Sequence, residues 1–222
     1  MADLTIIMLT PNRVPKEWAK FHKQKLLEVA GDNPIITISK EPLDWGINLI
    51  QTEYGITNIY RQMLRGAKVA TTPFIAIADD DTLYPKEHFA FRPKKEGFYY
   101  NLNRWHIFTW GEPFYFYKPR PGNGLLICSR DLMVRALESR LKGVEGELPP
   151  HLSYGELGMQ QSALVHDEVR WKPFYTTDPV LSFYHDQSWD RACRRHIKYA
   201  WPVRAYDIPV WGKAEDIRKK FQ

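Results

Sequence analysis

In the first part of the chain, short apolar runs alternate with stretches in which apolar residues recur every three or four positions. Leu4 to Leu9 (LTIIML) is continuous and partly β-branched, which predicts a strand buried on both faces. Thr10, Pro11 and Asn12 break it, Pro15 stands where a helix best tolerates proline, and Gly31 supplies a stop. Between Pro15 and Gly31, the residues Ala19, His22, Leu26 and Val29 share one predicted helical face. Pro34 to Ser39 (PIITIS) predicts a second strand. Ile56 to Ala67 has the clearest helical pattern, with Ile56, Ile59, Tyr60, Met63, Leu64 and Ala67 on one side and Arg61, Gln62, Arg65 and Lys68 on the other. Phe74 to Ala78 then predicts a third strand, and the alternation argues for a parallel α/β sheet.

After Pro85 the texture changes. Phe98 to Trp110 and Phe114 to Tyr117 are aromatic, strand-like runs around Gly111-Glu112-Pro113, which predicts an antiparallel hairpin joined to the parallel half. Gly124 to Cys128 and Val180 to Tyr184 predict further strands, Arg130 to Leu141 a helix, and Gly155 to Val165 another. We expect a catalytic domain over 1–190, with a nucleotide-binding half (1–90) and an acceptor half (91–190). A basic helix and a loosely attached tail are expected over 191–222.

With 222 residues, 44% hydrophobic and 26% charged, the chain can build a sizeable core. Its aromatic share of 14% exceeds what that core needs, so some rings are expected to line a groove. A net charge of +5 favours anionic partners. Cys128 and Cys193 have neither disulfide-framework nor metal-ligand spacing, which points to a reducing, cytoplasmic setting. No apolar stretch reaches the roughly 20 residues of a membrane span.

The chemistry concentrates in FIAIADDDTLYP, Phe74 to Pro85. Ligands of open α/β sheets bind beyond the carboxyl ends of the strands, where Asp79, Asp80 and Asp81 stand. An extended backbone would turn Asp79 and Asp81 to one side and Asp80 to the other. Three adjacent carboxylates repel and shift their pKa values upward unless a cation joins them. A hard cation such as Mg²⁺ or Mn²⁺ takes oxygen ligands and completes its shell with phosphate and water. A solvated acidic turn is the plain alternative.

The first strand ending in TPNR, the helix ending in RGAKVATTP and the strand FIAIA running into ADDDTLYP resemble the nucleotide-sugar half of GT-A glycosyltransferases, especially the family-2-like group. The resemblance covers about the first 90 residues. It implies a Rossmann-type mixed sheet and a D-x-D pair, Asp79 and Asp81, that binds ribose and a divalent cation. Asp81 would be the main metal ligand, with Asp80 touching the nucleotide. It further implies nucleotide contact by Thr10, Pro11, Asn12 and Arg13, with Asn12 as a helix cap the alternative. Arg65, one turn from Arg61 on the polar face, is a candidate for phosphate. Glu156 falls where the family carries its catalytic base, although Leu157 stands where a second acid is frequent. His185 ends the last apolar strand where many such enzymes bring a histidine to the metal, with His166 beside Asp167 as a rival.

The implied activity is metal-dependent, inverting transfer from a nucleotide sugar, UDP-sugars foremost, to an acceptor hydroxyl. Acceptors in view are a hydroxymethylated base in viral DNA, a glycan and a lipid-linked sugar. Trp105, His106, Trp110, Phe114, Tyr115 and Tyr117 could form a stacking platform, half of it lost to the core by alternation. The basic, aromatic stretch from Arg191 to Arg204, with Trp189, Tyr199 and Trp201, fits a polyanion-facing surface. Two other classes stay open: a non-catalytic nucleic-acid-binding module, and nucleotidyl transfer, which would need a second acidic cluster that Glu145, Glu147 and Asp178 do not convincingly supply.

Overall fold

A computed structural model of the chain describes residues 2–53, 55–148, 155–159, 169–188 and 202–221. Leu4–Thr10 (β1) is buried at every position, as its unbroken apolar run requires. It lies parallel to Ile35–Ser39 (β2) on one side and to Phe74–Asp79 (β4) on the other. Ile47–Ile50 (β3) extends the parallel half beyond β2 as an edge strand that the sequence pattern does not flag, because its end residues are exposed. Beyond β4 the direction reverses. Leu126–Ser129 (β9) is antiparallel to β4, Phe98–Asn101 (β6) is antiparallel to β9, and Trp171–Phe174 (β10) is parallel to β6. The resulting seven-stranded sheet runs β10-β6-β9-β4-β1-β2-β3, a mixed α/β architecture with a parallel N-terminal half.

Lys16–Ala30 (α1) begins after Pro15, which stands just outside the first turn. Its buried face is Trp18, His22, Leu26 and Ala30, whereas Ala19 is exposed. The bulky Trp18 sets the face toward the second sheet described below, one position from where the small Ala19 would place it. Ile56–Val69 (α2) presses on the sheet through Tyr60, Met63, Gly66 and Ala67. A Cβ on Gly66 would come within 2.7 Å of Ile7 and 3.2 Å of Ile38, so the helix crosses where only glycine fits. Thr57, Asn58 and Gln62 are also buried. Gln62, expected on the solvent side, is instead taken into the wall of a cavity beside the sheet. Arg130–Leu141 (α4) packs beside α2, its first turn closed by Ser129 Oγ, which accepts from the Leu132 amide at 3.4 Å.

The aromatic run from Phe98 to Trp110 is not one strand. Asn101 Oδ1 accepts the Asn103 amide at 3.0 Å and Asn103 Nδ2 donates to the Thr176 carbonyl at 2.9 Å, turning the chain between two sheets. Arg104–Phe108 (β7) and Tyr115–Tyr117 (β8) form the expected hairpin. They belong to a five-stranded sheet ordered β12-β8-β7-β11-β5, with Arg204–Ala205 (β12), Val180–Tyr184 (β11) and Thr82–Leu83 (β5). Lys86–Ala90 (α3) follows β5.

Within the described part of the expected tail, 202–221, the chain is packed and not loosely attached. Asp207–Ile208 (β13) and Gly212–Lys213 (β14) pair and lead into Ala214–Lys219 (α5), and Ile208, Ala214, Ile217 and Phe221 join Trp18, Leu83, Ile107, Tyr115 and Phe183 in one core. The basic residues of this segment stay on its surface while its few apolar residues, spaced by the turn, bury together. No described helix is long and apolar enough to cross a membrane.

Candidate functional site

Because β1 and β4 are parallel neighbours, their carboxyl ends open on the same edge, and Leu9 is paired with Asp79 there. This edge borders a cavity of about 1000 Å³ lined by Thr10, Pro11 and Arg13 after β1, by Asp79, Asp80 and Asp81 after β4, and by His185 after β11. Lys40, Asn58 and Gln62 line the wall contributed by β2 and α2. Residues predicted from three separate stretches of sequence thus meet at one place.

The three carboxylates diverge. Asp80 accepts a short hydrogen bond from Thr10 Oγ1, and its carbonyl accepts from Trp18 Nε1 at 2.7 Å. Asp81 Oδ1 accepts from Thr82 Oγ1 at 3.1 Å, while its Oδ2 lies 3.6 Å from His185 Nε2. The Asp79 carboxylate packs against Gly124, whose backbone amide donates to it, and the Asp79 amide donates to Tyr84 Oη at 2.9 Å. Tyr84 Oη in turn donates to the Gly124 carbonyl at 2.9 Å. Burial, and then the charge of Asp81, push Asp79 up to about 7 against the opposing pull of Arg104 and the Gly124 amide. The same two causes raise Asp80 well above the usual carboxylate range. The turn is therefore electrostatically costly by itself, and a cation in the cavity would relieve it.

Among the described residues, no three His, Cys, Asp or Glu side chains converge tightly enough to cage a metal. The donor set suits a hard cation that draws most of its shell from phosphate and water, with Asp79 and Asp81 both at the cavity lining. His185 fits less directly. The Gln187 amide donates to its Nδ1 at 3.3 Å, so the neutral ring carries its proton on Nε2 and presents it to Asp81.

The other expected residues are placed differently. Asn12 adopts φ 55°, and its Oδ1 accepts from the amides of Lys40 at 2.8 Å and Glu41 at 3.1 Å. It neither caps α1 nor lines the cavity, and it braces the loop after β1 against the loop after β2. Arg65 donates to the Ile50 carbonyl at 2.5 Å, holding the end of the edge strand away from the cavity. Arg61 binds the carbonyls of Val144, Glu145 and Gly146. Glu156 is outside the cavity lining, and burial raises its carboxyl pKa against the charges of Arg104 and Arg140. His166, Asp167, Trp189, Tyr199, Trp201 and the basic residues 191–198 lie outside the described residues.

Of the platform rings, His106, Phe114 and Tyr115 are buried, whereas Trp105 and Tyr117 are half-exposed cross-strand partners with ring centroids 5.5 Å apart. Glu147 is spent on α2, where it accepts from Thr57 N at 3.1 Å and Thr57 Oγ1 at 2.9 Å. Arg104, which the sequence pattern did not single out, donates to Ser182 Oγ at 3.2 Å and exerts its charge on both Asp79 and Glu156. A single arginine opening an aromatic strand carries no sequence signal of that role. Gln62 is 7% exposed at the cavity wall.

Fold and site together define a mixed α/β protein with an acidic ligand cleft at the carboxyl ends of its parallel strands. No protein-family model matches the chain, and no curated protein sequence matches it. Among solved structures, it is similar to the crystal structure of a glycosyltransferase involved in the glycosylation of the major capsid of PBCV-1, at 14% identity and a TM-score of 0.46, over 89% of this chain and 100% of that one. A likeness of that degree assigns no residue a role.

Proposed function

We propose that this protein is a glycosyltransferase that moves a sugar from a nucleotide-sugar donor, UDP-sugars foremost, to an acceptor hydroxyl with Mn²⁺ or Mg²⁺. The observation that carries this reading is the shared cavity. Half-buried aspartates at the end of β4 share its lining with Arg13, Lys40, Asn58 and Gln62. A cavity lined by Asp79, Asp80, Asp81, Glu53 and Asp186 together with Arg13 and Lys40 suits a diphosphate ester held through a metal.

Were a divalent cation bound there, it would supply Lewis acidity to the departing diphosphate. Asp81 and Asp79 would hold that charge in place, and Thr10 fixes the Asp80 carboxylate by donating to it. Arg13 and Lys40 line the cavity toward the anionic donor, and α2 contributes Gln62, while the Asn58 amide is held by Gln51 and the Glu53 carbonyl. Glu156 is kept as the base on the resemblance alone: it lies outside the cavity lining, so the acceptor would have to reach it from beyond the donor site, and its burial-raised pKa suits proton acceptance. One base and no covalent partner lead to inversion at the anomeric carbon. The half-exposed Trp105–Tyr117 pair and the chain's excess of basic residues support a flat or anionic acceptor, with a hydroxymethylated base in DNA first and a glycan or lipid-linked sugar next.

The test pairs a panel of nucleotide sugars with hydroxymethylated DNA and glycan acceptors, read by mass spectrometry. We expect sugar transfer that Asp81→Ala abolishes together with thermal stabilisation by Mn²⁺ and uridine diphosphate. Glu156→Gln should keep that stabilisation and lose about 100-fold or more in turnover. Absence of both transfer and any nucleoside-diphosphate shift would leave a binding module, and release of sugar 1-phosphate in place of nucleoside diphosphate would mean nucleotidyl transfer.

A further inference from the structure

The last described segment of the chain reaches the acidic site through one ring. Phe221 is 4% exposed. Its ring centroid lies 4.6 Å from Trp18, 5.2 Å from Phe183 in a stacked arrangement, and 4.9 Å from His185. Each of these neighbours is tied to a different part of the site. Trp18 Nε1 donates to the Asp80 carbonyl at 2.7 Å. The Phe183 amide donates to the Asp81 carbonyl at 2.8 Å. His185 Nε2 stands 3.6 Å from Asp81 Oδ2.

The ring is delivered by an anchored segment. Tyr115 Oη donates to the Gly212 carbonyl at 2.9 Å, Trp211 Nε1 donates to the Pro179 carbonyl at 2.9 Å, and Ala214 and Ile217 are buried beneath. A close-packed aromatic cluster transmits a displaced ring to its neighbours, because its members have few alternative rotamers and no free volume.

We propose that Phe221 is a positioning residue for the acidic site: wedged among Trp18, Phe183 and His185, it sets the Asp80–Asp81 turn and the histidine opposite it. The segment 207–221, far from the aspartates in sequence, is on this account part of the site. The inference rests on reading the turn as a cation–nucleotide site, but its geometric half stands independently. A ring that merely filled the core would alter stability without altering the turn.

Two measurements separate the cases. In the first, Mn²⁺ binding in the presence of uridine diphosphate is followed by the paramagnetic resonance of free Mn²⁺ for the wild type, Phe221→Ala, Phe221→Leu and Leu137→Ala. Leu137→Ala opens a remote part of the large-sheet core, where Leu137 is fully buried. Measured where each protein is folded, Phe221→Ala is expected to weaken binding at least tenfold and Phe221→Leu at least threefold, with Leu137→Ala within twofold of wild type. Should Phe221→Ala not fold, Phe221→Leu decides. The second measurement records the Trp18 indole N–H and His185 ring resonances, which should move in Phe221→Leu and stay in place in Leu137→Ala. Wild-type protein that binds no Mn²⁺ with uridine diphosphate would sink the cation–nucleotide reading, while the resonances still decide the positioning role. Unmoved resonances, or equal loss of binding in Leu137→Ala, would overturn the inference.

Discussion

Gly124 lies against Asp79 so closely that a methyl group on its Cα would fall inside van der Waals contact with the carboxylate. The same residue donates its amide to that carboxylate and accepts the Tyr84 hydroxyl at its carbonyl, so the turn around Gly124 shapes the acidic site from beneath. Gly124→Ala is expected to push Asp79 aside, reducing turnover in the proposed sugar transfer by tenfold or more and shrinking any thermal shift given by Mn²⁺. Circular dichroism should show the fold kept. Unchanged turnover in the alanine variant would mean that Asp79 does not need this contact.

Asp79 also predicts a trade between stability and function. Its pKa is about 7 in the fold against an ordinary 3.8, with burial the main cause. A raised carboxyl pKa contributes stability that is complete below the unfolded value and is lost as pH rises through the folded one. At pH 8 the ionised group is therefore a burden, and Asp79→Asn should raise the metal-free Tm by a few degrees there. The gain should shrink steadily as pH falls from 7 toward 4. Thermal scans across that range check the sign, and a Tm lower than wild type at pH 8 would refute it.

His88 works in the opposite sense. It is fully buried, with Nδ1 3.3 Å from Asn101 Nδ2 and no partner at Nε2 among the described residues, and burial lowers its pKa to about 3. Between pH 6.5 and 3 the unfolded chain holds a proton there that the native state refuses, so this group costs stability as pH falls. Relative to wild type, His88→Gln should flatten the dependence of unfolding free energy on pH by about 1.4 kcal/mol per pH unit in that window. Denaturant titrations at pH 6, 5 and 4 give the slopes directly, and parallel slopes would rule out a neutral buried imidazole.

Glu147 closes the N-terminus of α2 from outside the helix by accepting from both the amide and the hydroxyl of Thr57. Removing a carboxylate cap costs about 1–2 kcal/mol. In a chain of this size, that lowers Tm by about 2–8 °C. Glu147→Ala should show this loss. Because Asn58 and Gln62 ride on the same helix, it should also raise the KM for the donor more than it lowers kcat. An unchanged KM would confine Glu147 to stability.

The apolar patterns of β1, β2, α2, β4 and β11 were legible from the sequence because each is long or regular enough for its own burial to dictate its form. The acidic turn was legible as well, since three carboxylates following an apolar strand have few physical explanations. The edge strand β3 and the short β5, β10 and β12 to β14 were not, because two to four residues become strands only when a partner edge accepts them. Phe98 to Trp110 kept its strand character, but nothing local in it told which sheet each part would join. Only the tertiary structure brought Arg104 beside Asp79 and Glu156, turned Asn12 and Arg65 away from the cavity, and wedged Phe221 beneath His185. The sequence by itself determined the elements and their chemistry through local periodicity and charge. The site depended on contacts across tens of residues, whose geometry arises only when the two sheets pack.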